Sequence, residues 1–144
     1  MDLKELQKRI TRLEDIEAIK QLKARYCEIC DHESYDADAM ASLFAEDGIW
    51  VAEGAGSAEG REAIRELFAG IPDLMGKTQH IAANPLIEVD GDRAHGVWYL
   101  ISAESGIEGA TDRSWPQATA RYHEDYVKQN AGEWKFRRVH VVVA

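Results

Sequence analysis

Residues 77–103, KTQHIAANPLIEVDGDRAHGVWYLISA, decide the fold of this chain. Two strand-like runs, 77–89 and 93–103, flank the sequence Asp-Gly-Asp at 90–92, which is a strong signal for a tight β-hairpin turn. Each run is long, and its apolar residues are β-branched or aromatic at many positions. This stretch therefore predicts two long antiparallel strands in the second half of the chain.

The remainder of this half continues the pattern. A second hairpin is predicted over 118–129 and 133–143, across the turn sequence Asn-Ala-Gly at 130–132. Residues 104–116, ESGIEGATDRSWP, have no periodicity and are predicted to form a long loop between the two hairpins. Together the hairpins predict a β-meander.

The first half of the chain is predicted to be helical. Apolar residues recur three and four positions apart as far as Asp31, which predicts one amphipathic helix or two in series. The elements predicted after it are a helix over 36–44 capped by Asp36 or Asp38, a short strand over 49–53, a small-residue loop over 54–60 and a helix over 61–69. Helices followed by a meander predict an α+β fold, in which N-terminal helices wrap a curved antiparallel sheet into a cone-shaped barrel with a central cavity.

With 144 residues the chain is predicted to be a single domain, 1–144, whose first twelve residues form a helical extension. The start of the first helix carries an apolar stripe too narrow for a domain core, made of Leu3, Leu6, Ile10 and Leu13. A second apolar surface is predicted on the outer face of the last hairpin, from Trp134, Val139, Val141 and Val143. Exposed apolar surfaces mark interfaces, so we expect a homo-oligomer, either a dimer or a trimer.

Composition argues against several classes of partner. The net charge is -9 and the 17 Lys and Arg residues are scattered, which disfavours nucleic acid and anionic membrane surfaces as partners. The N-terminus is charged, and no apolar run approaches the roughly 18 residues of a membrane span. We therefore expect a soluble, cytoplasmic protein.

The two cysteines, Cys27 and Cys30, form a C-x-x-C sequence. A redox or metal role is one interpretation, but the pair falls at the end of a helical pattern and no second pair completes a zinc site. We therefore interpret them as packing residues, and we expect neither a metal nor another cofactor.

Two residues stand out as candidates for chemistry, Asp31 and His80. Asp31 ends the first helix, where the helix dipole disfavours a carboxylate; the alternative is a solvated turn residue. Alternation along the strand puts His80 on one face with Thr78 and Ala82, so it could line a cavity and titrate near neutrality. On spacing alone, an ordinary hydrogen-bonded core or surface histidine is the better explanation of His80.

Several stretches resemble the SnoaL-like branch of the nuclear-transport-factor-two-like superfamily. The run DIEAIKQLKARY at 15–26, with Asp31 five positions later, resembles the first helix of that branch. Thr-Gln-His at 78–80 resembles the histidine strand of scytalone dehydratase. The sequences GVWYL at 96–100 and NAGEWKF at 130–136 are similar to later strands of scytalone dehydratase, bile-acid 7α-dehydratase and hexachlorocyclohexane dehydrochlorinase.

The resemblance covers residues 12–138 and implies particular site residues. It pairs Asp31 with His80 as catalytic groups, and it places Tyr26 where the bile-acid enzyme has a tyrosine. Three positions differ from scytalone dehydratase, whose ring-binding tyrosine, second histidine and asparagine fall near Trp50, Glu104 and Tyr122. Together with Trp98, those three are the predicted substrate-binding residues, in a cavity whose many Tyr and Trp residues suit a small hydrophobic or aromatic substrate.

The leading hypothesis is a cofactor-independent lyase that removes water from a hydroxylated cyclic, polyketide- or steroid-like substrate. His80 would take the proton, Asp31 would orient it, and Tyr26 would bind the carbonyl or the leaving hydroxyl. An isomerase or a polyketide (aldol) cyclase with the same Asp-His pair is the second hypothesis. A non-catalytic small-ligand-binding domain is the third.

Overall fold

The computed structural model describes residues 1–31, 35–73, 77–105 and 117–143 of the chain. Its elements, in chain order, are α1 (Leu3–Asp31), α2 (Ala37–Ser42), β1 (Phe44–Ala52), β2 (Gly56–Glu59), α3 (Arg61–Ala69), a 3-10 turn (Ile71–Asp73), β3 (Lys77–Asp90), β4 (Arg93–Ser105), β5 (Gln117–Lys128) and β6 (Trp134–Val143). The prediction of an α+β fold is confirmed. Of the loop predicted over 104–116, residues 104 and 105 belong to β4 instead, and the rest of that prediction lies outside the described residues.

The long first helix is continuous rather than divided in two. It begins after Asp2, whose Oδ1 accepts the backbone N–H of Glu5 at 2.7 Å, and it ends at Asp31. Every residue up to Glu14 is exposed, whereas one face is buried against the sheet from Asp15 onward. The apolar stripe at its start therefore lies outside the core of its own chain.

The six strands form one curved, open sheet in the order β2-β1-β6-β5-β4-β3. Four pairings are antiparallel, but β1 and β6 run parallel. The chain crosses to the far edge after α3 and returns through the meander β3 to β6, so its last strand docks beside its first. That long-range pairing makes the sheet mixed, where the sequence predicts an antiparallel one.

The β3–β4 hairpin matches its prediction closely. Asp90 and Arg93 are paired across a two-residue turn, and Gly91 has a φ of 59°, a left-handed value that side chains disfavour. Because the turn fixes the register, His80 lies opposite Ser102 and Thr78 lies opposite Glu104. This register places the predicted histidine on the inner face of an edge strand.

Two boundaries in the first half differ from the predictions. Helix α2 is capped by Asp36, as predicted, but ends at Ser42; the predicted helix end, Phe44, instead starts β1 in register with the buried Phe136. The strand predicted over 49–53 is accordingly only the second half of β1.

The predicted loop over 54–60 contains a strand. Strand β2 pairs with β1 inside that segment, and its sequence Gly-Ser-Ala-Glu has no apolar alternation that would reveal it.

The outer surface of β6 is not the apolar face that the sequence predicts. Trp134 and Val139 are buried, Val141 packs against the core, and of the four residues only Val143 is largely exposed. A β-bulge at Arg137, between the Phe136 and Arg138 pairings with β5, shifts the alternation and turns Val139 inward. Exposed apolar residues of the outer face lie instead on β3 and β4, namely Ile81, Leu86, Tyr99 and Ile101.

The core lies between α1 and the inner face of the sheet. Its fully buried large side chains come from every layer, and include Ile19, Met40, Phe44, Ile64, Phe68, Tyr122, Tyr126 and Phe136. No helix in the described part of the chain is both long and apolar enough to cross a membrane.

Candidate active site

A cleft of about 460 Å³ opens between α1 and strands β3 and β4. Its walls include Lys23, Cys27 and Asp31 from the helix, and His80, Ala82 and Trp98 from the sheet. This volume falls within the range of small-molecule sites, about 300–1,000 Å³. Two of the three predicted catalytic residues, Asp31 and His80, therefore border one space of suitable size.

Asp31 and His80 are in direct contact at the mouth of this cleft. The ring Nδ1 of His80 lies 2.7 Å from Asp31 Oδ1, and the backbone N–H of His80 donates to Asp31 Oδ2 at 3.0 Å. The side chains are 17% and 26% exposed for His80 and Asp31, so the pair is shielded but reachable from solvent. Both carboxylate oxygens are engaged by one residue, which fixes the relative orientation of the two side chains.

This geometry sets the tautomer of the histidine. A carboxylate is only an acceptor, so a neutral His80 ring must carry its proton on Nδ1 to form the 2.7 Å contact. Its Nε2, on the opposite edge of the ring, then carries a lone pair rather than a proton. The arrangement therefore prepares His80 to accept a proton.

A neighbouring hydrogen bond ties the end of α1 to β3. Thr78 Oγ1 donates to the backbone carbonyl of Cys30 at 2.9 Å, one residue before Asp31 in the helix. The helix dipole disfavours a carboxylate at this end by about 0.3–1 kcal/mol, and the two N–H donors of His80 offset that cost. Asp31 is therefore held in place by β3 rather than by its own helix.

The aromatic residues predicted beside this pair lie deeper in the fold. Tyr26 is buried, its hydroxyl accepts the indole N–H of Trp50 at 2.9 Å, and its ring packs edge-on against that of Tyr122, with the ring centroids 5.9 Å apart. Burial raises the pKa of Tyr26 and of Tyr122 well above the ordinary value, so both hydroxyls stay protonated. These three residues lie together in the aromatic core, beside the cleft rather than in its lining.

The other two predicted binding residues lie on β4. Trp98 lines the cleft and donates its indole N–H to the hydroxyl of Tyr126 at 3.0 Å, which holds the indole in place. Glu104 is half-buried and shares the inner face with His80, because it lies opposite Thr78 in the register. Of the four predicted binding residues, Trp98 is therefore the one that borders the cleft with Asp31 and His80.

One pair at this site was not anticipated from the sequence. Lys23 Nζ contacts Glu124 Oε2 at 2.6 Å, and the two side chains are 1% and 0% exposed. The signal was present: Lys23 occupies a core position of α1 between Ile19 and Tyr26, and Glu124 alternates with two inward tyrosines on β5. Charged residues at positions where the pattern of the neighbouring residues is apolar are the signal that could have revealed this pair.

The cysteines are consistent with the packing interpretation. Cys27 and Cys30 are free and buried, and burial raises the thiol pKa of Cys27 above its ordinary value and that of Cys30 to about 12. Both thiols are therefore protonated at neutral pH. Over the described ranges, no three His, Cys, Asp or Glu side chains converge as a metal site would require.

Nearly the whole chain matches the sequence pattern of one known protein family. The model of the SnoaL-like domain matches residues 11–140. The chain belongs to this family. A search of curated protein sequences finds no match.

Solved structures of similar proteins agree with the family assignment. An NTF2-like protein with a cystatin-like fold from Novosphingobium aromaticivorans is 27% identical over 99% of this chain and 90% of its own, with a TM-score of 0.85. A candidate scytalone dehydratase from the same species is 24% identical over 93% of this chain and 87% of its own, with a TM-score of 0.79. The hexachlorocyclohexane dehydrochlorinase LinA-type3 of Novosphingobium barchaimii is 23% identical over 93% and 89%, with a TM-score of 0.78. At these identities, the last two structures show only that the fold is shared. Proteins named for enzyme activities are thus among the structural neighbours of this chain.

Proposed function

We propose that this SnoaL-like protein is a cofactor-independent lyase that removes water from a hydroxylated cyclic substrate. The observation that carries the proposal is the double contact between Asp31 and His80, at 2.7 Å and 3.0 Å, on the wall of a cleft of about 460 Å³. Structural neighbours named for dehydratase and dehydrochlorinase activity support the same class of reaction.

The reaction follows from the tautomer of His80. Nε2 takes a proton from the carbon next to a carbonyl, and the Asp31 carboxylate stabilises the imidazolium that results. The electrons of the broken C–H bond form the carbon–carbon double bond while the C–O bond to the hydroxyl breaks. The imidazolium returns its proton to the departing oxygen, so one water leaves and His80 is restored.

The lining of the cleft suggests the class of substrate. Trp98, Ala82 and Cys27 form an apolar part of the lining, beside charged or polar residues that include Lys20, Glu28 and the Asp31–His80 pair. A small hydrophobic or aromatic, polyketide- or steroid-like ring system fits such walls. The proposal assigns Asp31 and His80 to the chemistry and Trp98 to the substrate ring.

The predicted role of Tyr26 needs a separate test, because its hydroxyl already accepts a hydrogen bond from Trp50. If Tyr26 binds the substrate carbonyl, as the resemblance implies, Tyr26→Phe will lower kcat because one hydrogen bond to the substrate is lost. If Tyr26 only packs in the core beside the cleft, the same variant will leave kcat unchanged and lower the free energy of unfolding.

The experiment uses cyclic β-hydroxy ketones, including hydroxytetralones and hydroxylated ketosteroids, with the chelator-treated protein. The expected product is the conjugated enone, seen by its absorbance and by the loss of the mass of one water. His80→Ala is expected to lower the rate by about 10²–10⁴-fold. His95→Ala is the matched control, because His95 contacts Asp125 at 3.0 Å in an exposed pair on the opposite face of the sheet.

The same panel separates the remaining hypotheses. An isomerase or aldol cyclase using the same pair would consume substrate with no change of mass, and its rate would still depend on His80. A non-catalytic binding domain would bind members of the panel without converting any of them. Conversion that is equally fast in His80→Ala would overturn the assignment of the base.

A further inference from the structure

The first three turns of α1 carry an apolar stripe that nothing else in the described part of the chain covers. This α1 stripe consists of Leu3, Leu6, Ile10 and Leu13, which are 83%, 43%, 48% and 67% exposed. Every other residue from 3 to 14 is exposed as well. A contiguous apolar surface left open in this way marks a site of interaction.

The spacing of the α1 stripe is that of a coiled coil. Intervals of three, four and three residues place Leu3 and Ile10 at position a, and the other two members at position d, of successive heptads. The positions between them are all polar or charged, namely Lys4, Glu5, Gln7, Lys8, Arg9, Thr11, Arg12 and Glu14. The third heptad has Glu17 at position a, where the carboxylates of two copies would repel each other. The pattern therefore predicts a helix–helix contact that is confined to residues 3–14.

The α1 stripe and the buried face of the same helix point in opposite directions. With about 3.6 residues per turn, the stripe is centred about 170° from the face that packs on the sheet, which includes Asp15, Ile19, Leu22 and Tyr26. A second helix can therefore lie along the stripe while each domain stays on the far side of its own helix. Because α1 is continuous as far as Asp31, the stripe extends from a helix that packing already holds, and a partner need not nucleate it.

Two surfaces of a second copy could cover the α1 stripe. One is the same stripe, and the other is the exposed apolar patch on the outer face of the sheet, made of Ile81, Leu86, Tyr99 and Ile101. A stripe that meets itself forms an isologous contact, which closes as a dimer. A stripe that meets the sheet forms a heterologous contact, which continues from copy to copy unless a ring closes it. The contact of stripe with stripe therefore gives the simplest closed assembly.

The charges beside the α1 stripe favour a parallel contact. Arg9 is at position g and Glu14 at position e, and these positions flank the apolar contact and set its orientation. Arg9 already contacts Glu5 of its own helix at 3.6 Å, but a guanidinium has five N–H donors and can serve both carboxylates. In a parallel pair, Arg9 of each copy faces Glu14 of the other, so two ion pairs form. In an antiparallel pair, the two Arg9 side chains face each other instead.

We propose that the α1 stripe binds the same stripe of a second copy in a parallel, two-stranded coiled coil over residues 3–14. Isoleucine at position a with leucine at position d, as in Ile10 and Leu13, is the pattern that favours two strands. Two heptads are short, so the dimer is expected to dissociate reversibly on dilution through the micromolar range. The contact does not involve Asp31 or His80, and its test is independent of the test of lyase activity.

Charge exchange tests the pairing of Arg9 with Glu14, with sedimentation equilibrium of the full chain as the assay. R9E and E14R are each expected to weaken the dimer about tenfold, because two attractive pairs become repulsive. An equimolar mixture of the two variants is expected to restore the wild-type affinity, since each chain then meets opposite charges on its partner. The matched control R12E makes the same change of charge at position c, away from the contact, and is expected to leave the dimer unchanged. Circular dichroism establishes that each variant keeps its helix.

Oxidative cross-linking tests the orientation. In a parallel contact the two Leu13 residues lie at the same level, so Leu13→Cys is expected to form a disulfide between copies. In an antiparallel contact Leu13 meets Leu3, and the two Leu13 Cα atoms lie about 15 Å apart along the axis, too far for a disulfide. The control R12C, at position c, and the wild type, whose Cys27 and Cys30 are buried, are expected to form none.

The outcomes are distinct. The mass of one chain at high micromolar concentration, or R9E and E14R dimers as tight as the wild type, would overturn the proposal. An L13C dimer that forms no disulfide, or a disulfide that forms as readily in R12C, would overturn the parallel orientation. A dimer that Ile101→Glu dissociates and R9E does not would assign the contact to the outer face of the sheet instead.

Discussion

Replacing Asp31 with Asn tests whether Asp31 sets the tautomer of His80. Both carboxylate oxygens of Asp31 accept hydrogen bonds from His80, whereas an amide has one acceptor oxygen and one donor nitrogen. The backbone N–H of His80 needs an acceptor, so the amide oxygen must take the place of Oδ2. The amide NH₂ then replaces Oδ1 and donates to Nδ1 of the ring. The proton of a neutral His80 is thereby moved to Nε2, where it blocks the proposed base.

The expected magnitudes follow from these contacts. The same substitution beside a catalytic histidine in a Ser-His-Asp triad lowers kcat by about 10⁴, and we expect a loss of that order. The fold should change little: weakening two charge-assisted hydrogen bonds costs about 1 kcal/mol in this partly exposed pair, and removing a carboxylate from a helix C-terminus returns about 0.3–1 kcal/mol. The free energy of unfolding is therefore expected to stay within about 1 kcal/mol of the wild type.

Long-range ¹H–¹⁵N correlation spectra of the histidines provide the assay. The wild type should show His80 as the Nδ1–H tautomer and Asp31→Asn as the Nε2–H tautomer, with urea unfolding measured in parallel. Asp125→Asn is the matched control and should leave turnover and the His80 signals unchanged. A wild-type His80 already protonated on Nε2, or an Asp31→Asn protein with normal turnover, would refute the reasoning.

Three further outcomes are expected. Burial raises the pKa of the Cys30 thiol from 9.0 to about 12, so above pH 9 the unfolded chain binds fewer protons than the folded one. The free energy of unfolding then falls by up to about 1.4 kcal/mol per pH unit. Cys30→Ala should make the free energy of urea unfolding depend less on pH, and an unaltered slope would contradict this. Sedimentation equilibrium should show a dimer or trimer, and the mass of one chain would contradict this. If the α1 stripe is the interface, the double variant Leu6→Glu and Ile10→Glu should dissociate the oligomer. An oligomer that survives this change would assign the interface to the outer face of the sheet. Gly96→Ala should destabilise the fold by about 1–3 kcal/mol in thermal or urea unfolding, because the new Cβ would come within 2.7 Å of the Tyr126 hydroxyl; wild-type stability would show that the ring can move.

Local signals in the sequence were sufficient for much of the fold. The turn at Gly91 and the long apolar periodicity that ends at Asp31 each act over a few residues, so β3, β4 and α1 could be predicted from pattern alone. The same two elements carry Asp31 and His80, which is why a resemblance over short motifs was enough to predict that they meet. Their contact at 2.7 Å depends on the register of β3 against the helix end.

What the sequence did not reveal depends on long-range packing. The parallel pairing of β1 with β6 joins two strands that lie far apart in the sequence. The bulge at Arg137 reverses the alternation of β6, and nothing in the neighbouring sequence indicates it. The hydrogen bond from the Trp50 indole to the Tyr26 hydroxyl, which joins β1 to α1 across the core, likewise has no local signal. Periodicity assigns a residue to a face, and only the assembled fold decides whether that face meets a cleft or another side chain.

The most direct test of the central claim follows proton removal itself, without any leaving group. Incubation of 1-tetralone with the protein in D₂O exchanges the hydrogens next to its carbonyl if His80 acts as the base, and proton NMR follows the loss of their signal. The account predicts exchange well above the buffer rate for the wild type and for His95→Ala, and exchange at the buffer rate for His80→Ala. Exchange by His80→Ala as fast as by the wild type, or none by the wild type, would contradict it.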